Sequence, residues 1–220
     1  LIVKRFEDAK RLLAKVIEES ARDAMLRSEA YVTYLTAQHK GGDPFEERLA
    51  MAVRALDNNP HEADAWYFLS LAYQDQGLKK ESIEALSEAL KCLDQKQLHT
   101  SRVAQLRGER ATELGIYWAQ AGEHERAADF FAQALTHTSA EDPMRQRVVR
   151  VALGFFMMTQ DHQRVYDGLL ELASFGGGAY EDVLKGLALW SEWAQPRPLR
   201  AVAKRLASLH PSLARDPALP

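Results

Sequence analysis

The stretch that most constrains the fold of this chain runs from Ala63 to Asp94, ADAWYFLSLAYQDQGLKKESIEALSEALKCLD. Trp66, Leu69, Ala72 and Tyr73 recur at three-and-four spacing, and so do Ile83, Leu86, Ala89, Leu90 and Leu93 after Gly77. That period predicts two amphipathic helices, each with one face to bury, joined at a glycine turn. Two helices of this length cannot enclose a core alone, so neighbours of the same kind are required.

Those neighbours are legible as a repeated set of steps. Gly77 follows Leu69 by eight residues, Leu86 follows nine later, and Ala89 three after that. The same steps lead from Leu35 to Asp43, Ala52 and Ala55, from Leu114 to Gly122, Phe131 and Ala134, and from Leu153 to Asp161, Leu170 and Ala173. Gly41-Gly42-Asp43-Pro44 supplies a helix–turn–helix break in the first of these segments, with Pro44 suited to a first helical turn. A fifth pair follows, with Trp190 at the place of Tyr73 and Ala203 a weak match to Leu86; a terminal cap is its expected role. Helix pairs are therefore expected at about 29–60, 63–94, 101–138, 143–175 and 179–210, within a repeat region of 28–210. The starts are unevenly spaced, which predicts an unusually long helix from about 101 to 121. Gly176 to Gly178 should form a flexible break, and residues 211–220 a frayed tail.

The order Trp66, Leu69, Ser70, Tyr73, then Ser82 and Leu86, then Asp94, resembles the tetratricopeptide (TPR) repeat. That repeat reads W-x2-L-G-x2-Y, then A-x3-F, then P over about 34 residues. Here Ser stands for Gly, Ser for Ala, Leu for Phe and Asp for Pro; all but the last keep the size that close helix packing needs. The third segment restores Gly115, Ala127 and Phe131, with Trp118 in place of Tyr73, and Pro60 falls where the repeat's proline belongs. The resemblance implies an all-α fold, a right-handed superhelical solenoid of TPR-like helix–turn–helix pairs, and a non-enzymatic role in protein–protein interaction.

Residues 1–27 read as one N-terminal amphipathic helix, with Phe6, Ala9, Leu13, Val16 and Ile17 in its stripe, thinning at Ser20 and Asp23. Three fates are open to it: packing on the first repeat, pairing in a homodimer, or leading out of a preceding domain. Leu1-Ile2-Val3 before Lys4-Arg5 reads as an arbitrary boundary or, less favoured, as the tail of a membrane segment upstream of Leu1. The longest notable apolar run, Leu153 to Met158, is far short of the roughly 18 residues of a span. A net charge of -3 gives no general reason to bind nucleic acid. Cys92 is the only cysteine, which excludes an intrachain disulfide and fits a reducing compartment or equally a cysteine-poor periplasmic protein; a cytoplasmic location is favoured, a membrane tether the alternative.

No motif points to catalysis, a metal or a cofactor. His61-Glu62 and His124-Glu125 begin like a zinc-protease motif, but neither has a second histidine at the required spacing. Both pairs sit at predicted helix starts, where Glu meets the positive end of the helix dipole. Gly176 to Gly178 lacks the Lys-Ser/Thr of a phosphate loop. Arg197, Arg200, Lys204 and Arg205 share one face of the last helix, most simply a solvated one.

In proteins that this chain resembles, the first helix of each pair lines a concave groove. Carried onto this sequence, the groove face is Asp64, Tyr67, Leu71, Gln74 and Asp75, then Glu109, Thr112, Ile116, Ala119 and Gln120, then Val148, Val151, Phe155, Met158 and Thr159. The first segment contributes Ala30, Thr33, Ala37 and Lys40. Family members that grip acidic chaperone tails use a clamp of Lys, Arg and Asn here, and Tyr67, Leu71, Thr112 and Ile116 supply no such charge. What remains is an acidic mouth at Asp64, Asp75 and Glu109 and an apolar stretch at Leu71, Ile116, Val151, Phe155 and Met158. That suits a partner peptide or amphipathic helix with basic flanks. The competing reading is that a neighbouring helix, or a second subunit, covers the stripe. The expected function is an interaction scaffold or adaptor; the alternative is an oligomerisation or regulatory module of a larger, membrane-tethered protein.

Overall fold

The computed structural model describes residues 2–20, 22–96, 100–175, 179–192 and 196–209. Among the described residues the chain forms eleven helices and no strand: α1 (Ile2–Glu19), α2 (Ala24–Gly41), α3 (Phe45–Asn58), α4 (Ala63–Asp75), α5 (Lys79–Gln95), α6 (Ser101–Gln120), α7 (His124–His137), α8 (Pro143–Met158), α9 (His162–Ser174), α10 (Tyr180–Ser191) and α11 (Pro196–Leu209). Their contacts divide the chain into two compact units, residues 1–103 and 104–220. The expected glycine break at 176–178 and the expected tail at 211–220 lie outside the described residues.

The N-terminal segment departs from the single helix expected over residues 1–27. α1 stops at Glu19, and α2 starts afresh at Ala24 because the Asp23 carboxylate accepts the Leu26 N–H at 3.0 Å. An N-cap satisfies a donor that an uninterrupted helix would have paired with its own backbone. α1 then folds back on α2, with Phe6 over Gly41. Lys10, only 7% exposed, reaches Asp43 in the α2–α3 turn at 2.6 Å and Glu7 at 2.6 Å. Of the three fates open to it, packing on the first repeat is seen here, with the α1 stripe half-buried within the chain.

In the first unit α2, α3, α4 and α5 pack in succession around Leu35, Ala52, Ala55, Ala65, Leu69 and Ala85. Trp66 and Tyr73 pack on this core from its edge, and the Trp66 indole donates to the Pro60 carbonyl at 2.9 Å. The two serines that stand for the motif's Gly and Ala face each other: buried Ser82 donates to the Ser70 carbonyl at 3.0 Å. Small size lets α4 and α5 close, and the hydroxyl finds a partner there, so neither departure costs a buried unsatisfied group.

The second unit is held by aromatic packing. Phe131, Phe155 and Phe156 sit with ring centroids 5.1 to 6.3 Å apart, among Val149, Leu153, Val165, Leu169 and Leu172. Gly115 lies flat against Phe131, where a Cβ would come within 2.8 Å of the ring. Trp190 and Val202, both wholly buried, extend this core into α10 and α11.

Four turns share one geometry, and it fixes which residues of the four pairs are equivalent. Gly42, Gly77 and Gly122 are left-handed at φ of 72°, 72° and 79°, and Gln160 takes the same role at 57°. In each case the next N–H reaches back five residues, Asp43 to Gln38, Leu78 to Tyr73, Glu123 to Trp118 and Asp161 to Phe156. Sequence steps had equated Gly77 with Asp43 and Asp161; the turns equate it with Gly42 and Gln160. The first helices of the first and fourth pairs are therefore offset by one residue from the expected alignment. On a helix, one residue turns the face by about 100°.

Candidate partner-binding faces

On α4 the expected face is present. Asp64, Tyr67 and Leu71 are half-buried, Gln74 is exposed, and the Tyr67 ring lies 5.8 Å from Phe68. Asp75 is exposed and holds the Arg48 guanidinium of α3 at 2.7 Å, so its charge is already met within the chain. The corrected register replaces Ala30, Thr33, Ala37 and Lys40, of which Ala30 and Ala37 are buried at 4% and 7%, by Glu29, Val32, Thr36 and His39. His39 stands 6.0 Å from Phe68, which brings α2 and α4 together along one side of the first unit.

The second unit revises the expected stripe most strongly. Phe155 takes the place of buried Ala72 rather than that of Leu71, and it is a core residue, 6% exposed, against Phe131 and Phe156. It is not available to a partner. Val148 is wholly buried, and Val151 packs partly buried against the same core. Their places on the outward face go to Arg147, Arg150 and Gly154, all exposed, with Arg150 holding Asp182 at 2.8 Å. Met158 stays exposed at 61%. On α6, Thr112 is 5% exposed and donates to the Gly108 carbonyl at 2.7 Å, whereas Glu109 and Ile116 are half-buried. The apolar stripe expected from Ile116 through Val151, Phe155 and Met158 is thus not formed. Phe155 went into the core, Ile116 and Val151 pack partly buried against it, Met158 stays exposed, and two arginines took the outward places on α8.

The helix pairs, their left-handed turns and the small residues between paired helices can be set beside known proteins. No protein-family model matches the sequence, and no curated protein matches it. Among solved structures, BtubC (BKLC) from P. vanneervenii aligns with a TM-score of 0.63 at 14% identity, over 96% of this chain and 92% of that one. YrrB, a TPR protein with an unusual peptide-binding site, aligns at 0.59 and 14% identity, over 90% and 92%. PilW, a type IV pilus biogenesis factor, aligns at 0.50 and 14% identity, over 87% and 88%. The chain adopts the TPR fold.

Within the TPR fold the remaining sequence candidates have structural roles. Glu62 accepts from Ser28 at 2.8 Å and from Asn59 at 3.5 Å, tying α2 to the start of α4. His124 starts α7 with its ring 6.1 Å from Phe155, and Glu125 lies in that helix's first turn. Among the described residues no group of His, Cys, Asp and Glu is placed to hold a metal ion, and no helix is long and apolar enough to cross a membrane. Cys92 is buried; burial pushes its thiol up from the ordinary value, and Glu88 and Glu62 add to the shift. A thiol that keeps its proton is a poor nucleophile. Arg200, Lys204 and Arg205 on α11 are exposed, whereas the side chain of Arg197 lies outside the described residues.

Proposed function

We propose that this chain is a non-enzymatic interaction scaffold that binds a peptide or amphipathic helix of another protein on the α2–α4 face of its first unit. The observation that carries this reading is the Leu71 side chain, half-buried one turn from Tyr67 on α4; the turn register sets Val32, Thr36 and His39 at the equivalent places on α2, where His39 meets Phe68 of α4. An apolar residue is not required there in every pair: Ile116 packs against the core at that place in the third pair, but the fold sets exposed Gly154 there in the fourth. A leucine kept at an optional position suits an anchor for an apolar partner side chain. Glu29 at the edge of the face favours partners with basic flanks. The likeness to YrrB and PilW supports the general class, with no partner carried over.

Site-specific cross-linking tests this reading. A photo-reactive benzoylphenylalanine replacing Leu71 should capture a protein from the native source. The Leu71→Asp chain, folded by circular dichroism, should bind that protein at least about 30-fold more weakly. Capture that is unchanged in competition with the Leu71→Asp chain would remove the α2–α4 face from consideration.

A further inference from the structure

The second unit holds a half-open cleft of about 150 Å³ on a different side of α8 from Arg147, Arg150 and Gly154. Val149, Ala152, Leu153 and Phe156 of α8 form its floor, α7 supplies Ala132 and Leu135, and α9 supplies Arg164, Asp167, Gly168 and Glu171. An apolar cavity on the order of 150 Å³ accommodates a benzene-sized group. One leucine, methionine or phenylalanine side chain is therefore its capacity.

The walls decide what kind of chain brings that side chain. Ala132 on α7 and Gly168 on α9 are small, so a third helix can approach the seam between these two as a ridge enters a groove. The charges decide its flank. Arg145 is committed to Glu171, at 2.5 and 3.0 Å, and to the carbonyls of Leu135 and Thr138. Arg164 lies 5.0 Å over the Phe156 ring and 3.4 Å from Asp161. Asp167 is exposed, and both its oxygens accept from the neutral Gln163 amide at 3.1 Å. Asp129 is exposed one turn before Ala132 on α7. Each arginine at the rim faces a carboxylate, and the carboxylates at Asp167 and Asp129 remain in excess.

We propose that this cleft docks an amphipathic helix of a partner protein, with one apolar side chain in the cleft and a lysine or arginine three or four residues away against Asp167. The proposal rests on the scaffold reading in its general form, and places a second contact on a separate face. Two 14-residue Ala/Gln helical peptides serve as probes, one with Leu followed four residues later by Lys, the other with Leu followed by Glu. With methyl-labelled protein in 50 mM salt, the Lys peptide should give saturable shifts at Leu135 and Leu153, and the Glu peptide should bind about fivefold more weakly. Asp167→Lys should reverse that order. Ala132→Phe, whose ring fills the cleft from its own wall, should abolish the shifts without lowering the melting temperature. Leu71→Asp should leave them unchanged, so failure of the α2–α4 face and failure of the cleft are separable. No saturable shift up to millimolar peptide, shifts indifferent to Asp167→Lys, or shifts at Leu135 and Leu153 produced by deleting residues 210–220 would each overturn the proposal.

Discussion

Lys10 shows what a single buried charge does in this fold. Burial alone would push its ammonium down, but hydrogen bonds and charge from Asp43 and Glu7 outweigh it and hold the pKa above the ordinary lysine value. With both side chains of the Lys10–Asp43 pair less than a tenth exposed, removing Lys10 strands the Asp43 carboxylate, whereas removing Asp43 leaves Lys10 its exposed partner Glu7. Lys10→Met should cost about 3 kcal/mol in urea unfolding, and Lys10→Met with Asp43→Leu should recover most of it. The native ammonium holds its proton more tightly than the unfolded one. Its contribution is therefore whole below the ordinary value of 10.5 and is lost as pH rises through the raised native value. Comparing unfolding of the wild type and of the double variant at pH 8 and above pH 10.5 checks the sign: only the wild type should lose this increment.

At the scale of elements, helices and their turns were legible because period and glycine placement are local properties. The register of two first helices was not. An apolar-step count tolerates a one-residue error when the neighbouring residue is also apolar, as Leu153 beside Ala152 and Leu169 beside Leu170 both are. Gln160 concealed the fourth turn, since a non-glycine residue seldom takes a left-handed conformation. That slip moved Phe155 from core to surface in the sequence reading. Two glycines separate two kinds of constraint. At Gly122 an added Cβ meets nothing within 4 Å, so Gly122→Ala costs only its torsion, about 1 kcal/mol. Gly115→Ala instead drives a methyl into the Phe131 ring, for about 1 kcal/mol net of the helix propensity gained. In double-mutant cycles by thermal unfolding, Phe131→Leu should relieve the second substitution and leave the first untouched.

At the scale of the whole molecule, most described packing joins helices adjacent in sequence: α1 to α5 in succession, α7 on α8, α8 on α9 and α9 on α10, with α11 reaching past α10 to α9. Stability in such an array is close to a sum of neighbour terms, which is why a short repeated pattern disclosed the architecture. What it did not disclose was partner chemistry, because outward faces carry no packing demand and one residue of register exchanges arginines for valines. Arg145 ties three helices of the second unit, joining the end of α7 to Glu171 of α9 from a position on α8. Arg145→Met should cost about 2 kcal/mol and strip hydrogen-exchange protection from the α7 end and from α9; Arg145→Lys, lacking the planar fork, should rescue little of it.

The cleft on α7, α8 and α9 has a floor that is also core: Val149, Leu153 and Phe156 are 2%, 5% and 4% exposed. Its rim, Ala132 and Asp167, is exposed. The floor is therefore frozen by folding, whereas the rim is free to drift. In a lineage of such chains, a change of partner would be written in the rim residues, while the apolar residue the partner offers stayed the same.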